Sequence, residues 1–270
     1  MSIHTFQPIG IFDSGIGGLT VARAVKDILP HEAVIYFGDT AHLPYGDKSA
    51  ATIQDYSMRI VNILLQKNCK VILIACNTAS AVAYDLLKEY VGSRAKVLNV
   101  IDPVIGHIRE HFANQSIGLI ATKRTIQSGV YTRKIKALQL GIQLKTLATP
   151  LLVPIIEERF IKEEVSQEIV NDYLKKPQLE HINALILGCT HYPVIRKQIE
   201  RFYQHKIEII DATKLTAMSL KAFLIDKQLI NPSKHAEDYF IVSDYTTDFE
   251  QATRVFFNKQ IYLTQLPYRS

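Results

Sequence analysis

The chain has 270 residues, of which 47% are hydrophobic and 21% are charged, and its formal net charge is +5. Such values are typical of a globular protein with one large domain or two modest ones. Lys and Arg are scattered along the chain, which argues against a nucleic-acid partner. No apolar run reaches the roughly 18 residues of a membrane span, and residues 1–8 lack the pattern of a signal peptide, so we expect no membrane partner. Three cysteines form no disulfide framework, and we therefore expect a cytoplasmic protein.

Short apolar segments alternate with segments of helical periodicity in the first part of the chain. Ala22, Val25 and Leu29 lie on one face of a predicted helix that ends at Pro30. In chain order, the predicted elements are strand 9–12, a glycine-rich turn at 13–18 and the helix after it, strand 33–37, a loop at 44–46, a helix capped by Ser49, the strand that leads to Cys76, helix 79–91 and strand 97–101.

The pattern then restarts in the second part of the chain. Ile117-Gly118-Leu119-Ile120 resembles Ile9-Gly10-Ile11-Phe12 at an offset of 108 residues (117 − 9), and Cys189 follows Cys76 at an offset of 113 (189 − 76). Two similar offsets indicate a duplicated α/β unit. The remaining predicted elements are helix 126–138, strand 142–147, a helical stretch after Pro154, the strand that leads to Cys189, strand 207–210, helix 215–226, strand 239–242, a last helix opened by the capping-box spacing of Thr247 and Glu250, and an edge strand at 261–263.

Strands that alternate with amphipathic helices predict an α/β fold with mainly parallel sheets. The duplication predicts two similar doubly wound domains, related by pseudo-two-fold symmetry, with strand tips that face one another across a cleft. We expect residues 1–100 and 211–270 to form the first domain, because the C-terminal tail supplies elements that the first half lacks, and residues 101–210 to form the second. Open α/β sheets bind ligands at the carboxyl ends of their strands, so this cleft is the predicted active site.

Two of the three cysteines, Cys76 and Cys189, follow apolar strands at corresponding positions of the repeat. Each precedes a predicted helix, and the N-terminus of a helix stabilises a thiolate. Both thiols are therefore candidates for activation. Two thiols on opposite sides of one carbon can remove a proton from one face and deliver a proton to the other, and that operation inverts a stereocentre.

Each of these residues also has a structural interpretation. Cys76 and Cys189 are alternatively small buried hydrophobic residues, as free cysteines often are, and Cys69 is expected only to pack. Asp13 is either a helix cap or a carboxylate that assists a cysteine across the cleft. His191 is either a buried structural histidine or a proton partner for Cys189. The turn after Asp13 lacks the ending of a P-loop, although its backbone N–H groups can bind a carboxylate.

Several motifs in this chain resemble those of the glutamate racemase family. They occur in order across both halves and are Phe12-Asp13-Ser14-Gly15-Ile16-Gly17-Gly18-Leu19-Thr20-Val21, Gly38-Asp39-Thr40 with Pro44-Tyr45-Gly46, Ala75-Cys76-Asn77-Thr78-Ala79-Ser80, Val153-Pro154-Ile155-Ile156-Glu157 and Gly188-Cys189-Thr190-His191-Tyr192-Pro193. One departure is His42, which stands where the family usually has arginine.

The resemblance implies an amino-acid racemase that needs neither pyridoxal phosphate nor a metal and that supplies D-glutamate for peptidoglycan. It implies that Cys76 takes the α-proton of D-glutamate and Cys189 that of L-glutamate. Asp13 would then assist Cys76, and His191 would assist Cys189, with Glu157 nearby. The implied substrate contacts are Asp13, Ser14, Tyr45, Gly46, Asn77, Thr78, Thr190 and His191, with Thr122 or Thr125 as further candidates. Family members are commonly dimers, so a homodimer is expected.

Three other functions compete with this interpretation. A racemase of the same superfamily that acts on aspartate would carry similar motifs. A thiol-based redox or metal-binding protein would need a Cys-x-x-Cys pair or a tight Cys/His cluster, and the sequence has neither. A non-catalytic regulator with the same fold would have no use for two intact cysteines at matching strand ends.

Overall fold

The computed structural model describes residues 3–157, 163–232 and 237–266. Its strands are β1 (Ile9–Asp13), β2 (Val34–Gly38), β3 (Val71–Ile74), β4 (Lys96–Asn99), β5 (Ser116–Ala121), β6 (Gln143–Ala148), β7 (Ala184–Gly188), β8 (Glu208–Asp211), β9 (Tyr239–Val242) and β10 (Thr264–Gln265). Its α-helices are α1 (Leu19–Ile28), α2 (Ala50–Gln66), α3 (Asn77–Val91), α4 (Ile101–His111), α5 (Lys123–Ser128), α6 (Val130–Ala137), α7 (Leu152–Glu157), α8 (Glu163–Leu174), α9 (Arg196–Phe202), α10 (Ala212–Asp226) and α11 (Thr247–Phe256). None of the helices in these ranges is both long and apolar enough to cross a membrane.

The strands form two sheets in which every neighbouring pair is parallel. The strand order is β10-β9-β2-β1-β3-β4 in the first sheet and β6-β5-β7-β8 in the second. The order β2-β1-β3-β4 therefore recurs as β6-β5-β7-β8, and the two strands that lead to the cysteines, β3 and β7, correspond to one another. The predicted α/β class with two doubly wound, mainly parallel sheets is confirmed.

The C-terminal part of the chain supplies β9 and β10 to the first sheet, where β9 pairs with β2. A buried ion pair also joins the C-terminal part of the chain to the first part. Lys70 Nζ lies 2.6 Å from Glu32 and donates to the Leu229 carbonyl at 2.8 Å. Helix α10 packs against α1 and α4 and so lies between the two halves. The domain limits near residues 100 and 210 stay a prediction.

Each sheet has a closely packed glycine in its central strand. A Cβ at Gly10 in β1 would lie 3.0 Å from the Cys69 Sγ, and a Cβ at Gly118 in β5 would lie 2.8 Å from the Ile182 side chain. Both positions therefore need glycine, because the covering layer approaches the strand closely. Cys69 is buried in the core, as its position in the sequence indicated, and burial raises the pKa of its thiol to about 12.

The structure corrects the prediction around residue 100. The strand predicted at 97–101 spans Lys96–Asn99, and α4, which the sequence interpretation left out, begins two residues later. Asn99 fixes this boundary, because its Oδ1 accepts the backbone N–H groups of Ile101 and Asp102 at 2.8 and 2.9 Å. A side chain that caps the helix in this way ends the strand at the same residue.

Several further boundaries differ from the prediction. The helix predicted at 126–138 is broken into α5 and α6 by Gly129, whose φ of +66° no regular helix tolerates. The helix predicted after Pro154 begins before it, as α7, and its predicted course through 158–162 lies outside the described residues. Helix α11 is capped by Thr246 rather than Thr247. The edge strand predicted at 261–263 forms at β10 instead.

Candidate active site

The carboxyl ends of the two sheets face each other, and the residues just beyond the strands touch across the cleft. Asp13, at the end of β1, accepts a hydrogen bond from the Thr190 hydroxyl, beyond β7, at 3.4 Å. A Cβ at Gly17 would come within 2.7 Å of Thr190 Oγ1 and 2.5 Å of the His191 ring. A glycine at this position therefore lets the turn after β1 approach the opposite loop. The site is built from the residues that follow corresponding strands of the two halves.

Asp13 is fully buried, and the backbone of its own turn holds the carboxylate. Its Oδ2 accepts the N–H groups of Gly18 at 2.9 Å and Gly15 at 3.2 Å. Burial raises the pKa of Asp13, and the opposing effects of the His191 charge and of these backbone hydrogen bonds do not cancel it. Asp13 therefore caps the turn and also faces the second half, so the two interpretations of this residue are compatible.

Cys76 follows β3 and is the N-cap of α3. Its Sγ accepts the Ala79 N–H at 3.4 Å and donates to Ser14 Oγ at 3.6 Å. The residue is only 4% exposed. Burial, together with the charge of Asp13, raises the pKa of the Cys76 thiol to about 12. The Ala79 N–H group at the helix start lowers this pKa, as predicted, but burial and the neighbouring carboxylate raise it more.

Cys189 has a different environment. The helix start predicted at this residue is wrong. The segment Tyr192–Ile195 is a 3₁₀ turn, and α9 begins only at Arg196. The partner of the Cys189 thiol is instead a side chain, because its Sγ lies 3.7 Å from Nδ1 of His191. The other ring nitrogen, Nε2, lies 2.8 Å from Glu157 Oε1. Cys189, His191 and Glu157 thus form a continuous chain of polar groups.

The His191 ring is buried and receives an edge-to-face contact from Phe256 of α11, with ring centroids 5.4 Å apart. Burial by itself lowers the pKa of His191, but the hydrogen bonds and charges of Cys189 and Glu157 outweigh it and hold that pKa well above its usual value. The ring is therefore biased toward its protonated, cationic form. A cation beside a cysteine stabilises negative charge on the sulfur.

The two thiols belong to one site. The charge of Cys189 is among the causes that raise the pKa of Cys76, as is the charge of Asp13. His191 contacts Cys189 directly, and its charge acts to lower the pKa of Asp13. The structure therefore brings together the five residues to which the sequence resemblance gave catalytic roles, with Glu157 at the outer end.

The N-terminal turn of α3 and the loop beside it contact the second half. Thr78 Oγ1 lies 2.9 Å from Thr122 Oγ1 and 3.3 Å from Thr125 Oγ1. Gly46 lies against the same group, since a Cβ there would come within 3.0 Å of Thr122 Cβ. The two threonines that the resemblance named as further candidates are thus in the cleft, in contact with predicted substrate-binding residues.

The 3₁₀ turn that begins at Tyr45 is anchored to Asp39. The Tyr45 hydroxyl donates to Asp39 Oδ2 at 2.6 Å, while His42 Nδ1 lies 2.8 Å from Oδ1. The Ser243 hydroxyl donates to Oδ1 at 2.8 Å and so attaches the C-terminal part of the chain to the same carboxylate. His42 also stacks on Tyr56, with ring centroids 4.2 Å apart. The residue that departs from the family pattern therefore helps to anchor the turn that carries Tyr45.

Two buried tyrosines of the site were not indicated by the sequence. The Tyr36 hydroxyl donates to the Gly15 carbonyl at 2.8 Å, and the Tyr131 hydroxyl donates to Asn77 Oδ1 at 2.8 Å. Burial raises the pKa of both phenols, so both stay protonated. Tyr36 is one of five residues of a fully buried strand and carries no motif that sets it apart. Tyr131 could have been recognised as a buried residue from its position on the apolar face of an otherwise basic helix.

A family model described as Asp/Glu/Hydantoin racemase matches residues 19–220 of this chain. The matched range contains both strand-end cysteines, Cys76 and Cys189, together with Glu157 and His191. The chain therefore belongs to the Asp/Glu/hydantoin racemase family.

Individual relatives define its place within that family. The chain is 42% identical over 244 residues to a glutamate racemase of Neisseria meningitidis, and the match covers 90% of each chain. It is 38% identical over 256 residues, 94% of each chain, to a glutamate racemase of Chlorobium phaeobacteroides. The crystal structure of Francisella tularensis glutamate racemase in complex with D-glutamate superposes with a TM-score of 0.90 at 35% identity, covering 97% of this chain and 98% of that one. Within the family, this chain is thus similar to glutamate racemases along almost its whole length.

Proposed function

We propose that this protein interconverts L- and D-glutamate with two cysteine thiols as acid and base and without pyridoxal phosphate. The observation that carries the proposal is the pair Cys76 and Cys189, which follow corresponding strands of a duplicated fold and meet in one buried site. A racemase must act on both faces of one carbon, and a duplicated fold supplies one reactive group for each face. The likeness to glutamate racemases supports glutamate as the substrate.

In the conversion of L-glutamate, Cys189 acts first and Cys76 second. The Cys189 sulfur, beside the His191 ring, takes the α-proton: the Cα–H bond breaks, its electron pair stays on the α-carbon, and an S–H bond forms. Cys76, which is protonated because its pKa is raised to about 12, then delivers its proton to the opposite face. D-Glutamate leaves with the protonation states of the two thiols exchanged. The reverse reaction uses the same two groups in the opposite roles.

The barrier to this reaction is the carbanion, because the α-proton of an amino acid is far less acidic than a thiol. Fixed hydrogen-bond donors in a water-poor cleft stabilise such charge better than water does. We assign this task and substrate binding to the groups that line the cleft. They are Asp13, Ser14, Tyr45, Gly46, Asn77, Thr78, Thr190 and His191, with the hydroxyls of Thr122 and Thr125.

The cellular setting follows from the product. We propose that the D-glutamate enters peptidoglycan synthesis and that the enzyme works in the cytoplasm, where cell-wall precursors are assembled. We further propose a homodimer, which sedimentation velocity of the purified protein tests directly. A monomer at concentrations well above those of the assay would overturn that part of the proposal without affecting the chemistry.

The test of the activity is circular dichroism of L-glutamate incubated with protein that has been treated to remove pyridoxal phosphate. We expect the signal to decay to zero as the racemate forms. The same assay with L-aspartate separates the two acidic substrates, since one methylene in a binding pocket changes kcat/KM by about 10- to 200-fold. No decay with either acid, or decay that requires added pyridoxal phosphate, would overturn the proposal. A higher kcat/KM for aspartate would move the enzyme to the aspartate racemases.

A further inference from the structure

The hydrogen bond between Tyr131 and Asn77 joins the two halves at a substrate-binding position. Asn77 is the first residue of α3 and follows Cys76 directly, whereas Tyr131 belongs to α6 of the other half. Both side chains are buried, with 3% and 2% of their surface exposed. The Tyr131 hydroxyl donates to Asn77 Oδ1 at 2.8 Å.

This bond determines which way the Asn77 amide faces. A side-chain amide has an acceptor end, Oδ1, and a donor end, Nδ2, and its orientation follows from its partners. Tyr131 stays protonated because burial raises the pKa of its phenol, so its O–H group is a permanent donor and selects Oδ1. Among the described residues, none accepts a hydrogen bond from Nδ2 of Asn77. The NH₂ group is therefore free to meet an acceptor that the protein itself does not supply.

We propose that Tyr131 is a positioning residue, which holds the Asn77 amide so that its NH₂ group donates to a carboxylate of the bound amino acid. This inference rests on the proposed function, because it assigns the acceptor to the substrate. Without the tyrosine hydroxyl, the amide can turn its oxygen toward the carboxylate, and two acceptors then face one another.

The neighbouring contacts join the same two halves beside this bond. Thr78, the next residue of α3, bonds to Thr122 and Thr125 of the same half that carries Tyr131. Asn77 and Thr78 thus both have hydrogen-bond partners in the other half. The Asn77 donor is consequently oriented by contacts between the two halves.

The test is a comparison of Tyr131→Phe with the unaltered enzyme in the circular dichroism assay. The change removes one hydroxyl and retains the buried ring. We expect KM for glutamate to rise about tenfold, the scale of a lost hydrogen bond to a charged group, while kcat changes less than KM. In an Asn77→Ala background, Tyr131→Phe should have no further effect on KM, because the tyrosine acts through that amide.

The chain offers a matched control. Tyr90 also donates its hydroxyl to an asparagine oxygen, Oδ1 of Asn62, at 2.6 Å, but this pair is exposed on the surface. Tyr90→Phe should leave both kinetic constants unchanged. If Tyr131→Phe does not fold, Asn77→Asp serves instead, since it retains the acceptor for Tyr131 and lacks the donor, and KM should rise by more than tenfold.

The outcomes separate this inference from the proposed function. If the unaltered enzyme racemises glutamate but Tyr131→Phe has an unchanged KM, Tyr131 does not position the amide. An equal KM increase in the presence and absence of Asn77 would also overturn the inference, because the tyrosine would then act by another route. An unaltered enzyme that fails to racemise glutamate would overturn the proposed function itself.

Discussion

The two thiols occupy equivalent strand ends and yet have different chemical surroundings. Cys76 begins an α-helix and contacts a backbone N–H and the Ser14 hydroxyl, near the carboxylate of Asp13. Cys189 precedes a 3₁₀ turn and contacts the His191 ring, which Glu157 holds from its other side. The pKa of one thiol is therefore raised by burial and negative charge, while the other thiol lies beside a histidine ring whose own pKa is raised.

Under the proposed mechanism, the repeated fold supplies the positions of the acid and the base, and the different surroundings of each thiol give it its character. A racemase that starts a cycle needs one group ready to take a proton and one ready to give it. Two identical environments would give both thiols the same tendency to ionise. The surroundings of Cys76 and Cys189 are not identical, and the comparison can be tested residue by residue.

Removal of either thiol should have the largest effect. We expect Cys76→Ser and Cys189→Ser each to lower the rate of racemisation by about 10³-fold or more, because a serine hydroxyl is a far weaker acid than a thiol and does not ionise near neutral pH. Circular dichroism of glutamate measures the loss, and the unfolding transition should remain close to that of the unaltered protein. Near-normal turnover in either variant would remove that cysteine from the mechanism.

His191→Asn should impair the Cys189 side selectively. The equilibrium constant between enantiomers is one, so kcat/KM must fall equally in both directions, by about 100-fold for a lost proton-transfer partner. The selectivity appears in the deuterium isotope effect on kcat/KM. This isotope effect should increase for L-[2-²H]glutamate, whose deuterium goes to Cys189, and decrease for D-[2-²H]glutamate. Asp13→Asn, on the Cys76 side, should give the opposite pattern; the same pattern in both variants would contradict the assignment.

Glu157→Gln should change the pH dependence of stability with a smaller effect on rate. The pKa of His191 in the folded protein lies above its usual value of 6.5. The stabilisation of the folded protein by protonation of His191 is therefore fully present below pH 6.5. It is lost as the pH rises from 6.5 through the raised pKa, and the free energy of unfolding decreases by at most about 1.4 kcal/mol per pH unit for one proton.

In Glu157→Gln the glutamine retains a hydrogen-bond acceptor but not the charge, so the pKa of His191 should decrease toward 6.5 and this loss of stability should shrink. Urea unfolding between pH 6 and pH 9, with NMR titration of the ring, provides the measurement. An unchanged His191 pKa would show that Glu157 does not hold the proton on the ring.

Cys69→Ala should have the smallest effect and serves as the control for the other two cysteines. Cys69 is buried against Gly10, away from the cleft. We expect kinetic constants within twofold of the unaltered enzyme and a decrease of about 1 kcal/mol in the free energy of unfolding, the usual scale for a core truncation of this size. A large loss of activity would mean that the third thiol contributes to the site.

Much of the fold was readable because apolar strands and glycines follow a strict pattern. Gly10 and Gly118 mark the central strand of each sheet, and the repeat offset placed Cys76 and Cys189 at corresponding strand ends. The missed helix α4 was also readable in principle, since an asparagine side chain such as that of Asn99 can accept the first backbone N–H groups of a helix and Pro103 is tolerated in its first turn.

The surroundings of the site were harder to predict, because they depend on contacts between distant parts of the chain. Nothing near Cys76 in the sequence indicates that burial and Asp13 outweigh the helix N-terminus. The bond from Tyr131 to Asn77 joins residues 54 positions apart, and that from Ser243 to Asp39 joins residues 204 apart. Such pairs follow from the way distant parts of the chain pack, and they cannot be predicted from the residues that neighbour them in the sequence.

The most direct test of the two-thiol mechanism is the fate of the α-hydrogen in D₂O. L-Glutamate is incubated with the enzyme, and both enantiomers are separated early in the reaction and analysed by mass spectrometry. The account predicts one deuterium at the α-carbon of every D-glutamate formed and none in the unreacted L-glutamate, because one thiol removes the proton and a different, solvent-exchanged thiol delivers the deuteron. Protium retained in the product, or deuterium in unreacted L-glutamate at the rate of product formation, would indicate one group serving both faces and would contradict it.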